Sequence, residues 1–141
     1  MSTSEQNKAI VLRWLSEMDQ KNWSIFEELV DDNYVFNMPG NPVPMTRDQH
    51  VETTQTFYKA FPDLVHHVKD TIAENDRVVV RMRVTGTQKE EFFGTPASGN
   101  SVDVGSILIG RLEGGKVVEV WGEFDFAGLM QQISTAETVA A

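Results

Sequence analysis

Between Leu64 and Phe126 the sequence consists of four strand-like segments, with short turns inside each pair and a loop or broken strand at 89–101 between the pairs, and this run limits the fold more than any other feature. The segments are rich in β-branched residues, and tight-turn sequences at 74–77 and 113–116 separate them in pairs. The predicted strands are Leu64–Ala73, Val78–Gln88, Val102–Leu112 and Val117–Phe126. A sheet of this kind must bury one face against other elements, so the rest of the chain has to supply a covering layer.

The first half of the chain supplies that layer as helices. Apolar residues recur with helical spacing near the start, and two segments begin with the Ser/Thr-x-x-Glu/Gln pattern of a capping box. The predicted helices are Ser4–Gln20, a short one from Ser24 to Leu29, one from Thr46 to Phe61 and a closing helix at Gly128–Ile133. We therefore expect a single α+β domain over residues 1–141, with N-terminal helices on one face of a curved, mostly antiparallel sheet. Residues 134–141 are expected to form a loose tail.

Composition excludes several classes of function. The 141 residues contain no cysteine, which removes disulfides, thiolate nucleophiles and zinc–thiolate sites. Twelve Lys and Arg against 21 Asp and Glu give a formal charge of -9, which argues against a nucleic-acid partner. No apolar run approaches the ~20 residues of a membrane span, and the polar N-terminus does not resemble a signal peptide. We expect a cytoplasmic protein with no membrane partner.

The strand region also carries a family resemblance. The segments FPDLVHHVKDTIAENDRVVVRMRVTGT, FFGTPASGNSV and GKVVEVWGEFDFAGLMQQI resemble the SnoaL-like polyketide cyclases, which belong to the nuclear-transport-factor-2-like superfamily. The resemblance extends from about Lys8 to Ile133. It implies a cone-shaped α+β barrel in which helices close over a strongly bent sheet and enclose a deep apolar pocket. It also implies a homodimer, no cofactor, and in some members a pocket carboxylate that performs acid/base chemistry on carbonyl compounds.

The last predicted strand holds the leading catalytic candidates. Strict alternation from Val117 puts Trp121, Glu123 and Asp125 on one face, which is either a solvated surface or a cavity wall. The family's motif of a Trp followed four residues later by an Asp is matched by Trp121 and Asp125. By this resemblance Asp125 is the general acid/base and Trp121 contacts substrate, with Glu123 as the alternative if the alignment shifts by two residues. The competing interpretation is that Asp125 caps the closing helix and the glutamates face water.

Histidine offers a further catalytic candidate. His66 and His67 are adjacent on a predicted strand, so they point to opposite faces and cannot bind one metal together. One of the two should face the pocket, where it could relay a proton or simply be a hydrogen-bonded core residue; His66 is the catalytic candidate. No metal-binding motif or phosphate loop occurs in the sequence, so we expect neither a metal nor a cofactor.

Ligand contacts are expected mainly from aromatic and methionine side chains, because the core and the pocket lining form one layer in such a fold. The expected contacts, besides Trp121, are Trp14, Tyr34, Met38, Tyr58 and Gln88. Gln88 stands where family members often carry a histidine, which weakens any mechanism that needs a second acid/base there. Either tyrosine could donate a hydrogen bond to an enolate oxygen.

Three hypotheses about function follow. The first is a cofactor-free cyclase or isomerase acting on a small hydrophobic carbonyl compound, and the second is a binding or carrier domain with the same pocket. The third, less favoured, is an epoxide-hydrolase arrangement of Asp70, Arg81, Arg83 and Asp103. Apolar residues that alternate with the inner face, such as Val79, Ile107 and Ile109, predict a homodimer through the outer face of the sheet.

Overall fold

The computed structural model describes residues 3–135. As the sequence predicts, helices precede a meander of long strands. The elements are α1 (Thr3–Asp19), α2 (Ile25–Leu29), β1 (Val30–Asn37), β2 (Met45–Thr46), α3 (Arg47–Ala60), β3 (Val65–Glu74), β4 (Arg77–Thr87), β5 (Ser101–Glu113), β6 (Lys116–Phe124) and α4 (Phe126–Ser134). The predicted α+β class is confirmed. Of the predicted tail, residues 136–141 lie outside the described part of the chain. No helix within residues 3–135 is long and apolar enough to cross a membrane.

The six strands form one curved, unclosed sheet in the order β2-β1-β6-β5-β4-β3. Strands β3 to β6 pair as an antiparallel meander, and β1 joins the last strand, β6, in parallel. Alternation divides the sheet into two faces: on β4, Val80 and Met82 are buried whereas Arg81 and Arg83 are exposed.

The inner face packs against α1 and the aromatic residues that follow it. Val11, Trp14, Leu15 and Met18 are all buried and lie on one stripe of α1, as the helical spacing predicts. Burying each of these side chains contributes roughly 1.5–3 kcal/mol of hydrophobic free energy relative to exposure. This stripe holds the helix layer on the sheet and leaves the opposite side of α1 in solvent.

Of the two predicted capping boxes, one is confirmed and one is wrong. At the start of α3 the Thr46 hydroxyl accepts from the Gln49 amide at 3.2 Å, and the Gln49 side chain accepts from the Thr46 amide at 2.9 Å. Ser24 has a helical backbone (φ -63°) where a capping residue needs an extended one, and makes no capping bond. Its hydroxyl donates instead to Asn22 Oδ1 at 2.6 Å.

The loop 89–100 is organised by Gln88, whose side chain is fully buried. Its Nε2 donates to the carbonyl oxygens of Glu90 and Thr95, each at 3.1 Å. Its Oε1 accepts from the amide and the hydroxyl of Ser98 at 3.0 and 2.6 Å. The expected contact between Gln88 and a ligand is therefore not formed, because the whole hydrogen-bonding capacity of this amide is used inside the loop.

We predict that Gln88→Leu lowers the free energy of unfolding by about 2–4 kcal/mol, because it leaves buried loop groups without partners. Urea unfolding of the purified variant measures the change. Gln131→Leu makes the same chemical change at an exposed position of α4 and should alter stability by less than about 0.5 kcal/mol. Equal losses in the two variants would contradict this role for Gln88.

Candidate functional site

A cavity of about 140 Å³ lies between the helices and the inner face of the sheet. Its wall is mostly aromatic and aliphatic, and no Lys, Arg, Asp or Glu of the described chain is part of the lining. The polar lining residues are His50, Thr53, Thr54, Tyr58, His66 and Ser106. Apolar walls with a few polar groups are typical of sites for small organic ligands.

Strand β6 turns its carboxylates away from this cavity. The residues that line it are Val120, Gly122 and Phe124, so the side chains between them point outward. Trp121, Glu123 and Asp125 do not face the cavity as expected, because the pairing of β6 with β5 is irregular. Val117 and Val120 are both buried, so the alternation changes phase by one residue between them.

Trp121 lies on the outer face and is only partly buried. Its ring packs against the guanidinium group of Arg77, 5.4 Å from the ring centroid. The prediction that Trp121 is largely buried beside the pocket is therefore wrong. Glu123 is exposed on the same face, at a groove that Arg81 and Arg83 also line.

Asp125 is the N-cap of α4, and its Oδ1 accepts a hydrogen bond from the Gly128 amide at 2.9 Å. It is exposed and does not line the cavity. The capping interpretation, weighed against the catalytic one at the sequence level, describes its position. A carboxylate suits this place because the N-terminal end of a helix presents unpaired amides and a partial positive charge.

Asp19, the last residue of α1, has the carboxylate that contacts polar side chains of the cavity wall. Asp19 Oδ1 lies 2.7 Å from His66 Nδ1 and accepts from the Tyr58 hydroxyl at 2.6 Å. Asp19 Oδ2 accepts from the His66 amide at 3.0 Å. The side chains of His66 and Asp19 are only 17% and 15% exposed. Three elements, α1, α3 and β3, thus meet at one carboxylate.

The pKa values in this cluster are shifted in opposite directions. Burial alone would raise the pKa of Asp19, but the hydrogen bonds and charge of His66 and the bond from Tyr58 outweigh it and hold the pKa below its ordinary value. Burial and the negative charge of Asp19 raise the pKa of Tyr58 well above that of a free phenol. Asp19 is therefore ionised and Tyr58 protonated at neutral pH.

Sequence reasoning missed Asp19, although one signal was present. An acidic residue in the last turn of a helix faces the negative end of the helix dipole, and α1 has no basic residue there to offset it. Such a carboxylate needs another partner, which in this chain is His66. His67 points to the other face and contacts the Thr85 hydroxyl at 2.8 Å, so the predicted opposite orientation of the two histidines is confirmed.

A second polar group in the cavity is His50, on α3. Its Nδ1 lies 3.0 Å from the Tyr34 hydroxyl, and the rings of Trp14, Phe26 and Phe36 surround it. Burial lowers the pKa of His50 to about 3, so the imidazole is neutral at physiological pH. Burial likewise raises the pKa of Tyr34.

The structure brings four of the nine candidate residues to the cavity: Trp14, Met38, Tyr58 and His66. The other five, Tyr34, Gln88, Trp121, Glu123 and Asp125, do not line it. Tyr34 differs from expectation because it is 2% exposed and stands behind His50 instead of at the rim. The indole Nε1 of Trp14 is buried and has no hydrogen-bond partner within residues 3–135.

The residues of the epoxide-hydrolase arrangement also lie outside the cavity. Arg81 pairs with Asp70 at 2.6 Å and Arg83 with Asp103 at 2.9 Å, all on the exposed outer face. These are ion pairs between neighbouring strands and cannot activate water in the cavity. Within the described ranges, no three His, Asp or Glu side chains are grouped so as to hold a metal ion.

Comparisons with known proteins place this geometry in a family. The profile of the SnoaL-like polyketide cyclases matches residues 9–133. The crystal structure of AclR from Streptomyces galilaeus, a proposed hydroxylase, is 28% identical, with a TM-score of 0.86, and the match covers 94% of this chain and 98% of AclR. A proposed SnoaL-like polyketide cyclase from Jannaschia sp. CCS1 is also 28% identical, with a TM-score of 0.87 and 96% of each chain covered.

Other solved structures agree in fold alone. IdmH from Streptomyces antibioticus, a proposed polyketide cyclase, is 22% identical, with a TM-score of 0.84, 92% of this chain and 99% of IdmH covered. Comparison with curated protein sequences finds no match. The family profile spans nearly the whole chain and the structural matches share its fold, so this protein belongs to the SnoaL-like polyketide cyclase family and has the nuclear-transport-factor-2-like fold.

Proposed function

We propose that this protein is a cofactor-independent enzyme of the cyclase or isomerase type that moves a proton at the carbon next to a carbonyl group of a small hydrophobic compound. The observation that carries the proposal is the pairing of His66 with the ionised Asp19 in the wall of an apolar cavity. This pairing provides a base where a neutral organic ligand would bind. It replaces Asp125 and Glu123 as the proposed acid/base group.

His66 is the proposed base because its two ring nitrogens have different surroundings. An ionised carboxylate can only accept, so the Nδ1 that faces Asp19 carries a proton. Nε2 has no hydrogen-bond partner in the described part of the chain, and in the neutral imidazole this nitrogen carries the free electron pair. It can take a proton from the ligand carbon, and the negative charge of Asp19 stabilises the imidazolium ion that forms.

Tyr58 and Asp19 act as positioning residues. The Tyr58 hydroxyl donates to the same Asp19 oxygen as His66, and its raised pKa keeps it a donor. Together with the bond from the His66 amide, it fixes the carboxylate and therefore the plane of the imidazole. A base held in one orientation has less freedom to lose in the transition state.

The enolate oxygen needs hydrogen-bond donors. When the C–H bond breaks, its electron pair forms the carbon–carbon double bond and the carbonyl oxygen gains negative charge. His50 can donate from Nε2 in the tautomer whose Nδ1 accepts from Tyr34. The Ser106 hydroxyl also lines the cavity. Return of the proton from His66 to another carbon completes an isomerisation. In a cyclisation the enolate carbon attacks a second carbonyl carbon, and the oxygen of that carbonyl takes the proton back from His66.

A binding or carrier domain is the second candidate, and one observation favours it. The cavity lining contains no carboxylate, and most of its surface is apolar, so ligand binding needs no chemistry. The two functions differ in one measurable property, since only an enzyme accelerates proton transfer to and from the ligand.

The proposal also covers partners and location. The chain has no cysteine, and we propose a cytoplasmic protein, since disulfides would gain it nothing there. Its charge of -9 supports the absence of nucleic-acid and anionic-membrane partners. The proposed partners are therefore a small hydrophobic molecule and a second copy of the chain, with no bound cofactor.

Self-association is proposed through the outer face of the sheet. Register pairs Ile72 with Val79, Val79 with Ile109 and Ile109 with Trp121, which makes an apolar row across four strands. Ile72 is 64% exposed and Ile107, in the next row, is 42% exposed. A contiguous apolar patch of this kind is stabilised when a second copy covers it.

We predict that the protein catalyses exchange of the methyl hydrogens of acetophenone for deuterium in D2O, followed by proton NMR. His66→Gln should slow this exchange by at least about 100-fold, the loss expected for a general base. Asp19→Asn should slow it as well, because the amide no longer holds the imidazole in the right tautomer.

Asp125→Asn is the matched control, since it makes the same change at a carboxylate outside the cavity. It should leave the rate within about twofold, because Asn is nearly as good a helix cap as Asp. A loss in Asp125→Asn alone would contradict the assignment of His66. No exchange above background in the wild-type protein, despite ligand binding, would favour the binding domain.

The low pKa of His50 predicts a specific pH dependence of stability. In the unfolded chain this histidine takes up a proton near pH 6.5, but in the folded protein only near pH 3, so the free energy of unfolding falls as the pH drops below 6.5. Between pH 6.5 and pH 5 the loss should be about 2 kcal/mol, measured by urea unfolding. His50→Gln should remove this part of the dependence, whereas His67→Gln should keep it.

For the proposed dimer, we predict that light scattering at micromolar concentration gives twice the monomer mass. Ile107→Glu should give the monomer mass, because it would bury an unpaired charge in the interface. Phe93→Glu, at an exposed residue of the loop 89–100, should remain dimeric. A monomeric wild-type protein would refute this proposal.

A further inference from the structure

We propose that the ligand is a neutral carbonyl compound with a single ring, and that Phe36 sets this size limit. The inference rests on the proposed function for the presence of a carbonyl group. The cavity volume is about 140 Å³. An apolar cavity of about 150 Å³ holds one benzene molecule, so the volume favours a ligand built on one ring over a fused multi-ring skeleton.

The space is limited by Phe36, which lies where a β6 side chain would otherwise be. Gly122 faces the cavity, and a Cβ atom added to it would come within 2.8 Å of Phe36 Cε1 and 3.2 Å of Phe36 Cζ. The Phe36 ring also covers His50, with the two ring centroids 4.0 Å apart. Glycine at 122 thus admits the phenylalanine, and the phenylalanine occupies room that a longer ligand would need.

A second group of aromatic residues in the cavity wall is held in place by buried neighbours. Phe57 contacts Phe124 at 5.6 Å and Phe92 at 4.9 Å between ring centroids, and Phe92 is fully buried against Phe61. Moving this wall would disturb several close-packed rings. Phe36 is not part of this group of packed rings, so its truncation enlarges the cavity without removing any of their contacts.

Charge excludes ionic ligands. No Lys or Arg among the described residues lines the cavity, so an anion would lose its hydration without gaining a counter-ion. It would also lie near the negative charge of Asp19. A cation has no free carboxylate to bind, because the Asp19 oxygens accept from His66 Nδ1, the His66 amide and Tyr58.

Binding of ketones that differ only in the number of rings tests the size limit. Isothermal titration calorimetry would compare acetophenone, with one ring, and 2-acetylnaphthalene, with two. The wild-type protein should bind the two-ring ketone at least about tenfold more weakly. Phe36→Ala should bind it at least about tenfold more tightly than the wild type does. Phe93→Ala, which removes a ring that is 60% exposed outside the cavity, should bind as the wild type does.

Benzoate tests neutrality, because it has the same number of non-hydrogen atoms as acetophenone and carries a charge. At pH 7.5 it should bind at least about tenfold more weakly than acetophenone. Thermal melting checks that each variant is folded, and Phe36→Leu replaces Phe36→Ala if the latter unfolds.

Each outcome decides between the proposals. Equal affinity of the wild type for one-ring and two-ring ketones would overturn the size limit, and equal responses of Phe36→Ala and Phe93→Ala would overturn the role of Phe36. Benzoate binding as tightly as acetophenone would overturn neutrality. Because these are equilibrium measurements, a cavity that selects one ring without catalysing exchange would retain this inference and refute only the enzyme.

Discussion

The parallel pairing of β1 with β6 adds the first long strand to one end of the meander and completes the cavity wall. Phe36 of β1 lies opposite Val120 of β6, and Asn37 lies opposite Trp121. The Asn37 amide strengthens the junction, because it donates to Glu119 Oε2 and to the carbonyl oxygen of Val120, each at 3.1 Å. Without this pairing Phe36 would not meet Gly122, and the side of the cavity near His50 would be open.

Much of this architecture could be predicted from local sequence. The strand boundaries, the buried stripe of α1 and the Thr46 capping box follow from alternation, helical spacing and hydrogen bonds within a few residues. The face of β6 could not be predicted, because the irregularity before Val120 depends on how β5 pairs with it. A shift of the alternation by one residue decides whether Glu123 or Gly122 faces the cavity. The hydrophobic pattern of one strand taken alone does not reveal such a shift.

The two aspartates considered for catalysis illustrate the same limit in electrostatic terms. Asp125 stands at the N-terminal end of a helix, where the backbone amides satisfy it locally. Asp19 stands at the C-terminal end of α1, where the backbone carbonyls disfavour it and residues distant in sequence, His66 and Tyr58, compensate. The family motif leads to the first of these residues, whereas the unfavourable position of the second is the better indication of a site. The unfavourable position of Asp19 could be recognised in the sequence, but its contact with His66 could not.

Asp19 joins α1, α3 and β3 through Tyr58 and His66 in addition to orienting the imidazole. Under the proposed function, selection for a folded chain and selection for a working base would act on the same atoms. If a descendant of this protein lost its chemistry and kept only ligand binding, Asp19 and Tyr58 would still be retained, because their loss would loosen three elements at once. His66 is under a different constraint, because the hydrogen bond from its backbone amide to Asp19 does not depend on the imidazole ring. Among divergent relatives, the identity of the residue at position 66 would then separate catalysts from binders, and the presence of the carboxylate at position 19 would not.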